Sequence, residues 1–272
     1  MVCKNCGSNL QENFCAHCGE KKFDEHELTV KHFLSETLES FFHFDNRFLR
    51  SVKKLLLKPG QMALDFTEGK RVRFMKPLQL FLILNISLFF VPGNPFALSL
   101  NNYVTYKPFI NYNTKAIVAE EIKKNHISPA AYTNRFDEKI KSVSKEFIFL
   151  YIPFYAFVFF LLFVYKKRKL AEHLVFACHF MGFYILLSIF YSFFVEMPFY
   201  FLAKTNYSQL FDNISTFSVQ AFILIYLFVA MRKFYKASVT WSFISAASVA
   251  VSFFIFIQYY RMLLFFIITR FE

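Results

Sequence analysis

Long stretches without charged residues are the feature of this sequence that most constrains its fold. Five hydrophobic segments lie at about 75–92, 147–165, 174–197, 214–231 and 239–260. A membrane-crossing helix needs roughly 17–25 predominantly apolar residues. Charged residues make up 18% of the chain, below the roughly 25% typical of soluble domains. The sequence therefore predicts an all-α polytopic membrane protein with about five transmembrane helices, and it excludes an ordinary soluble domain.

The first hydrophobic segment is the weakest of the five. Its apolar core runs only from Leu78 to Val91 and is interrupted by Asn85, so it is either a full crossing or a re-entrant segment. The basic clusters Lys166–Lys169 and Arg232–Lys236 favour a crossing. With a cytosolic amino terminus, five crossings place both clusters inside, as the positive-inside rule requires. The expected division is 1–22, 23–74 and a transmembrane domain at 75–272, with an extracytoplasmic loop at 93–146.

Two Cys-x2-Cys pairs near the amino end are the strongest local signal. Their members are Cys3, Cys6, Cys15 and Cys18. The sequence opens without a signal peptide, so we expect these cysteines in the reducing cytosol, where metal binding is favoured over disulfides. Tetrahedral structural zinc prefers four thiolates. We therefore predict a Zn²⁺-bound ribbon over residues 1–22, with His17 as a disfavoured alternative ligand because four sulfurs already fill the shell.

The predicted zinc site has a structural role. A shell closed by four thiolates leaves no position for a reactive water, so it builds a fold and does not catalyse. Residues 1–20 hold one Lys, Lys4, against Glu12 and Glu20, which disfavours nucleic-acid binding. We expect the ribbon to contact a cytosolic protein partner or to act in sensing.

The segment after the ribbon is predicted to form amphipathic helices on the membrane surface. One apolar stripe comprises Val30, Phe33, Leu34, Leu38, Phe41 and Phe42, and a second comprises Phe48, Leu49, Val52, Leu55 and Leu56. Cations flank the second stripe at Arg47, Arg50, Lys53, Lys54 and Lys58. A helix with such a cationic polar face suits the interface. We expect it to bind the lipid bilayer through anionic headgroups, and Pro59-Gly60 to end it.

Ionisable residues in the third hydrophobic segment are candidates for function. Glu172, His173 and His179 lie at or inside the predicted helix, where such groups are costly and functional by default. By helical geometry His173 and His179 point about 120° apart, so they do not clasp one metal ion together. The alternative is interfacial, with Glu172 and His173 pairing with the neighbouring Lys166–Lys169 cluster.

Two further polar residues lie within or beside predicted crossings. Asn85 belongs to the first segment and Glu196 lies near the outer end of the third. They either contribute to a polar route through the membrane or cap and cross-link helices.

Three motifs in order resemble a broad bacterial family of uncharacterised multi-pass membrane proteins that carry a domain of unknown function and an amino-terminal zinc ribbon. The first is the double Cys-x2-Cys-Gly head. The second runs from Leu57-Lys58-Pro59-Gly60 through Glu68–Phe74 to Lys76-Pro77, and the third is Glu172–Phe176 with His179. Relatives often carry a second histidine where this chain has Met181. The resemblance implies a ribbon and a membrane location, and it supplies no activity.

These features predict a non-enzymatic protein of the bacterial inner membrane. Its ribbon recruits a cytosolic partner or takes part in sensing, while the helix bundle anchors it. One alternative is a transporter or permease component in which Asn85, His179 and Glu196 line a route. Another is an intramembrane enzyme acting on lipid through Glu172, His173 and His179, which is disfavoured because no second carboxylate or nucleophile motif accompanies them.

Overall fold

The computed structural model describes residues 2–10, 13–22, 29–30, 47–91, 96–105, 112–203 and 209–270. Within these residues the chain is helical, and isolated bridges pair Val2 with Asn9 and Phe14 with Lys21. The predicted fold class is confirmed, because an all-α chain carries helices of membrane-crossing length behind an amino-terminal cysteine cluster. The predicted stripe from Phe33 to Phe42 lies outside the described residues.

The helices are numbered here in chain order. They are α1 Arg47–Leu57, α2 Gln61–Thr67, α3 Pro77–Ser87, α4 Leu100–Thr105, α5 Thr114–Lys124, α6 Pro129–Glu146, α7 Tyr151–Leu162, α8 Leu170–Tyr191, α9 Met197–Ala203, α10 Gln209–Tyr235 and α11 Val239–Arg270. A 3₁₀ turn joins α6 to α7, and a π-helical turn, Ser192–Glu196, joins α8 to α9.

Four helical runs in the described part of the chain are long and apolar enough to cross a membrane. They are Pro129–Leu162, Leu170–Phe199, Ile214–Tyr235 and Val239–Arg270. The first hydrophobic segment forms a shorter apolar helix, Pro77–Phe90. Its length is about 21 Å at 1.5 Å per residue, less than the roughly 30 Å hydrocarbon core. A crossing by this segment therefore stays a prediction.

The segment predicted to form the extracytoplasmic loop, 93–146, contains helices in its described part, and its side of the membrane stays a prediction. It contains α4, α5 and α6, and α6 continues through the 3₁₀ turn into α7. Ser128 caps α6 by accepting a hydrogen bond from the Ala131 amide, and Pro129 occupies the first turn. Tyr132, Phe136 and Ile140 form its buried stripe. Arg135, Glu138, Lys141 and Glu146 are exposed, as expected for the polar face of an amphipathic helix, whereas Lys145 is buried.

The chain divides into two compact units, each described by itself. The first comprises 1–85, 150–187 and 204–250. Its central helix is α8, whose most apolar stretch is 72% buried, against 28–39% for the other membrane-length helices. Aromatic contacts hold α8 to its neighbours: Phe176 meets Phe159 of α7 at 4.8 Å, and Phe183 stacks on Tyr226 of α10 at 3.6 Å.

The second unit comprises 86–149, 188–203 and 251–272. Tyr103 of α4 packs against several of its helices. The Tyr103 ring packs against Phe136 of α6 and Phe265 of α11. Its hydroxyl donates to the Arg261 carbonyl at 3.1 Å, and its own carbonyl accepts from Thr114. Burial raises the pKa of Tyr103 above its ordinary value. The phenol therefore stays protonated and keeps its donor role.

The predicted surface segment splits into an exposed helix and a buried one. α1 is amphipathic, with Ser51 and Leu55 buried. Its exposed apolar residues are Leu49, Leu56 and Leu57. In contrast, α2 is buried from Met62 to Thr67. The turn between them brings Gly60 onto the backbone of α10 at Ala230. A surface location therefore fits α1 but not α2, because the turn at Gly60 folds α2 into the first unit.

Candidate metal centre and buried polar residues

The ribbon consists of two knuckles that repeat after 12 residues. In the first, the Cys3 amide donates to the Ser8 carbonyl and the Gly7 amide to the Cys3 carbonyl. Cys15, Glu20 and Gly19 make the corresponding bonds in the second knuckle. Gly7 and Gly19 both adopt positive φ, 82° and 71°, a conformation that glycine adopts without steric cost. Glycine at these two positions therefore suits the tight turn that follows each cysteine pair.

The two knuckles bring the four predicted ligand sulfurs together. The Sγ atoms of Cys3, Cys6, Cys15 and Cys18 all lie within 4.8 Å of one another. Cys3 and Cys18 are 3.7 Å apart, and Cys6 and Cys15 are 3.5 Å apart. Four sulfurs placed tetrahedrally at about 2.3 Å from an ion are about 3.8 Å from one another. The spacing fits a shared metal ion, and all four cysteines are free thiols.

The surroundings of Cys6 favour the ligating form of the thiol. Its sulfur lies 3.4 Å from the Ser8 hydroxyl. Hydrogen bonds from the Ser8 side chain and backbone lower the pKa of Cys6 to about 6. At neutral pH this favours the thiolate, which is the species that binds metals. His17 is exposed and lies outside the group of four ligands.

Glu20, which follows the second knuckle, joins the ribbon to the rest of the first unit. Its carboxylate accepts hydrogen bonds from the amides of Arg71 and Val72 at 3.0 and 3.1 Å. The Glu20 residue is only 7% exposed. Such charge-assisted bonds are stronger than neutral ones. The carboxylate therefore fixes the ribbon to the connection between α2 and α3.

A buried ion pair holds the α1–α2 hairpin. Lys54 of α1 pairs with Asp65 of α2, and the Gln61 amide donates to the other Asp65 oxygen at 2.7 Å. The Lys54 ammonium also lies 4.1 Å from the centre of the Phe74 ring. Asp65 therefore has partners for both carboxylate oxygens. Asp65 is the one acidic residue within α2, and that position among apolar neighbours is the only sequence signal for this pair.

Glu172 occupies a structural position at the start of α8. It pairs with Arg168 four residues earlier and accepts from the Lys169 amide at 3.3 Å. Arg168 also donates to the Phe234 carbonyl at 2.8 Å, and its guanidinium lies over the Phe234 ring. This contact ties the connection before α8 to the end of α10. It favours the interfacial interpretation of Glu172.

His173 is fully buried and contacts the end of α10. Its Nδ1 lies 2.9 Å from the Tyr235 hydroxyl. The two rings stack at 5.5 Å, and Tyr235 stacks in turn on Phe163 at 3.8 Å. Nε2 has no hydrogen-bond partner among the described residues. His173 is thus part of an aromatic joint among α7, α8 and α10.

His179 lies deeper in α8 and is 4% exposed. Neither ring nitrogen has a hydrogen-bond partner in the described part of the chain. Successive residues of a helix are turned by 100°, so around the axis of α8 the His179 side chain points between those of Phe183 and Gly182. Phe183 packs on α10, and Gly182 faces Leu55 and Leu84. The neighbouring Cys178 is buried. A functional role for His179 stays a prediction.

The remaining two polar candidates lie in different units. Asn85 is half-buried near the end of α3 in the first unit, and Glu196 is half-buried in the π-helical turn of the second. A polar route that includes both stays a prediction.

Comparison with known proteins gives one match. Residues 45–90 match a family model described as a protein of unknown function, DUF3667. The matched segment is about one sixth of the chain and contains α1, the Gly60 turn, the Lys54–Asp65 pair and α3. No curated protein and no solved structure matches the chain.

Proposed function

We propose that this chain is a non-enzymatic multi-pass protein of the bacterial inner membrane, whose zinc-bound ribbon recruits a cytosolic protein partner to the membrane surface. The observation that carries the proposal is the attachment of the ribbon to the membrane-associated unit. Through Glu20 the ribbon is bonded to the connection that leads into α3. A head fixed in this way presents its outer surface at a defined place on the membrane.

Zinc is the ion that the donor set favours. Four thiolates at tetrahedral spacing are the usual shell of structural zinc, and such a shell is closed to substrate. The chemistry supplied by the ion is therefore structural: it holds two knuckles that are too small to form an apolar core. Metal binding and ribbon folding are then one event.

A cytosolic location is supported by the contact between Gly60 and Ala230. Ala230 lies five residues, about 7.5 Å, before the end of α10 at Tyr235. The ribbon docks just beyond α2, whose seven residues span about 10 Å. The sum of these two distances is shorter than the roughly 30 Å hydrocarbon core. This favours a location of the ribbon on the same membrane face as the end of α10. By the positive-inside rule, Arg232, Lys233 and Lys236 favour a cytosolic location for that face.

The same reasoning bears on the first hydrophobic segment. If the ribbon and the end of α7 lie on one face, the chain must reach the opposite face before Pro129, where the helical run through α7 begins. The stretch that begins with α3 must then cross the membrane. In this proposal the short helix Pro77–Phe90 accounts for most of that crossing.

Recruitment of a protein is favoured by the exposed surface of the ribbon. Val2 and Phe14 occupy equivalent positions of the two knuckles, and they are 59% and 61% exposed. We infer that these two exposed apolar side chains contribute to the contact with the partner. The ribbon's low basic content disfavours nucleic acid as the partner.

The proposal is tested by crosslinking in living cells, with a photoreactive amino acid at Asn9, which is bridged to Val2. Wild-type ribbon should capture a cytosolic protein. The double substitution Val2→Ser and Phe14→Ser, which leaves the cysteines in place, should abolish capture, as should Cys15→Ser, which removes a metal ligand. A fluorescent protein fused to the amino terminus verifies equal membrane insertion. Capture of the same proteins by the wild type and by both variants would overturn the proposal.

A further inference from the structure

We propose that the first unit carries a binding site for an anionic phospholipid, formed by Tyr165, Lys166, Lys167, Lys236 and Trp241 and named here the Trp241 corner. The site lies where the connection from α7 to α8 meets the connection from α10 to α11. It is distinct from the ribbon and does not depend on the ribbon's proposed function.

Two side-chain bonds fix the geometry of the Trp241 corner. The Lys166 ammonium donates to the Lys236 carbonyl at 3.1 Å and so joins the two connections. The Trp241 indole N–H donates to the Leu162 carbonyl at 3.2 Å, which fixes the start of α11 beside the end of α7. The corner is therefore a built site, since its backbone segments are held in place by these contacts.

The aromatic residues of the corner are arranged as at a membrane interface. The Tyr165 and Trp241 rings meet edge to face at 6.2 Å and are 52% and 38% exposed. The Lys166 ammonium lies 5.1 Å from the centre of the Tyr165 ring. Tyrosine and tryptophan concentrate at headgroup level because they combine an apolar ring with a polar group. This pair therefore marks the depth at which phospholipid phosphates lie.

Two lysines of the corner adopt a backbone conformation that lysine ordinarily avoids. Lys167 has φ 51° and Lys236 has φ 50°, both in the left-handed region. Glycine or asparagine occupies this region at lower cost. Both lysine side chains are exposed. Strained residues of this kind point to a functional role, and the property shared by these two is a positive charge on the connections that form the corner.

The charge and the apolar neighbours of the corner together select a lipid. The sequence has no acidic residue in 162–169 or in 232–241. Glu172, the nearest acid along α8, is already paired with Arg168. Val164 on the first connection and Val239 at the start of α11 are 56% and 53% exposed. Cations that adjoin exposed apolar side chains match a ligand with a phosphate and acyl chains, and anionic lipids attract such clusters.

The inference is tested with the chain's single tryptophan as the reporter. Purified protein is placed in phosphatidylcholine nanodiscs that contain the same mole fraction of either brominated phosphatidylglycerol or brominated phosphatidylcholine. Bromine quenches tryptophan only at close range, so the ratio of the two quenching signals measures lipid preference at Trp241. We expect stronger quenching by the anionic lipid in the wild-type protein. Equal quenching would overturn the proposal.

Substitution of the strained lysines separates charge from structure. Lys167→Gln and Lys236→Gln should each lower the preference for phosphatidylglycerol about fivefold, the factor that one cation near an anionic surface contributes. Lys167→Gly should lower it equally without lowering the thermal midpoint, because glycine relieves the strain. Lys123 is an exposed lysine of α5 in the second unit. Lys123→Gln is the matched control and should leave the preference for phosphatidylglycerol unchanged.

Two results would contradict the assignment to a lipid. If Lys167→Gln and Lys236→Gln keep the wild-type preference, the lysines do not form the site. If inorganic phosphate at millimolar concentration abolishes the preference in the wild-type protein, the corner binds a free anion and the commitment to a bilayer lipid is wrong.

Discussion

Replacement of Gly60 by alanine is expected to destabilise the first unit strongly. Gly60 has φ 75° and ψ −19°, and an L-residue in this left-handed region costs roughly 1–2 kcal/mol. A Cβ at this position would lie 2.4 Å from the Ala230 carbonyl oxygen and 2.9 Å from its Cα. Backbone atoms cannot rotate away, so an overpacking cost of about 1–3 kcal/mol is added.

The sum, roughly 2–5 kcal/mol, is a large share of the about 5–15 kcal/mol that ordinarily stabilises a folded protein. It corresponds to a fall of about 4 to 20 °C in the thermal midpoint for a chain of this size. The measurement is the fraction of folded monomer that remains after heating the purified protein in detergent, followed by size-exclusion chromatography.

Two other glycines are matched controls for the two components of this cost. Gly19 has φ 71° and nothing within 4 Å of an added Cβ, so Gly19→Ala should incur only the backbone component, about 1–2 kcal/mol. Gly182 lies within α8, where an added Cβ would meet Leu55 and Leu84 at 3.4 Å. Gly182→Ala gains up to about 1 kcal/mol of helix propensity and should change the midpoint little.

The comparison can refute the reasoning directly. If Gly60→Ala unfolds at the same temperature as Gly182→Ala, the turn does not touch α10. The packing of the α1–α2 hairpin against the membrane helices would then be wrong, and with it the argument for the membrane face of the ribbon.

Three further substitutions have defined outcomes. Cys15→Ser should lower bound zinc from one ion per chain toward none by mass spectrometry of the purified protein, and an unchanged zinc content would exclude the tetrathiolate site. Glu20→Gln should speed hydrogen exchange at the Arg71 and Val72 amides, which donate hydrogen bonds to the Glu20 carboxylate. Glu68→Gln should leave the exchange of these amides unchanged. Equal exchange rates in the two variants would disprove the docking of the ribbon. Asp65→Asn leaves the partly buried Lys54 ammonium without its counter-charge. This substitution should lower the free energy of unfolding by roughly 1–3 kcal/mol in the heating assay. An unchanged thermal midpoint would contradict the ion pair.

Hydropathy located the membrane helices because a lipid environment obliges each crossing segment to satisfy its own backbone hydrogen bonds. The segments at 174–197, 214–231 and 239–260 all lie inside observed helical runs. The same criterion missed α6, since a helix that is half solvated carries too many charges for a hydropathy signal. Its cap Ser128, its Pro129 and the four-residue spacing of Tyr132 and Phe136 are helix signals that the sequence does contain.

The sequence predicts contacts of the candidate sites between residues close in the chain, and it does not predict contacts between distant residues. The Cys-x2-Cys spacing is local, so it predicted the sulfur cluster. The pairing of Glu172 with Arg168 is also local and belongs to one of the two alternatives read from the sequence. Glu20 lies 51 residues before Arg71, and no periodicity connects them. Gly60 and Ala230 meet only because the hairpin folds against α10, a contact that composition and spacing do not encode.

The most direct test of the central claim asks whether the ribbon and the Trp241 corner are exposed to the cytosol and whether the segment 93–146 forms the predicted extracytoplasmic loop. Recognition sites for a sequence-specific protease are inserted after Lys124 and after Lys167, and before residue 1, in three separate proteins. The protease is then applied to intact spheroplasts and to inverted membrane vesicles. The account predicts cleavage after Lys124 in spheroplasts only, and cleavage at the other two sites in inverted vesicles only. Cleavage of the amino-terminal site in intact spheroplasts would contradict it.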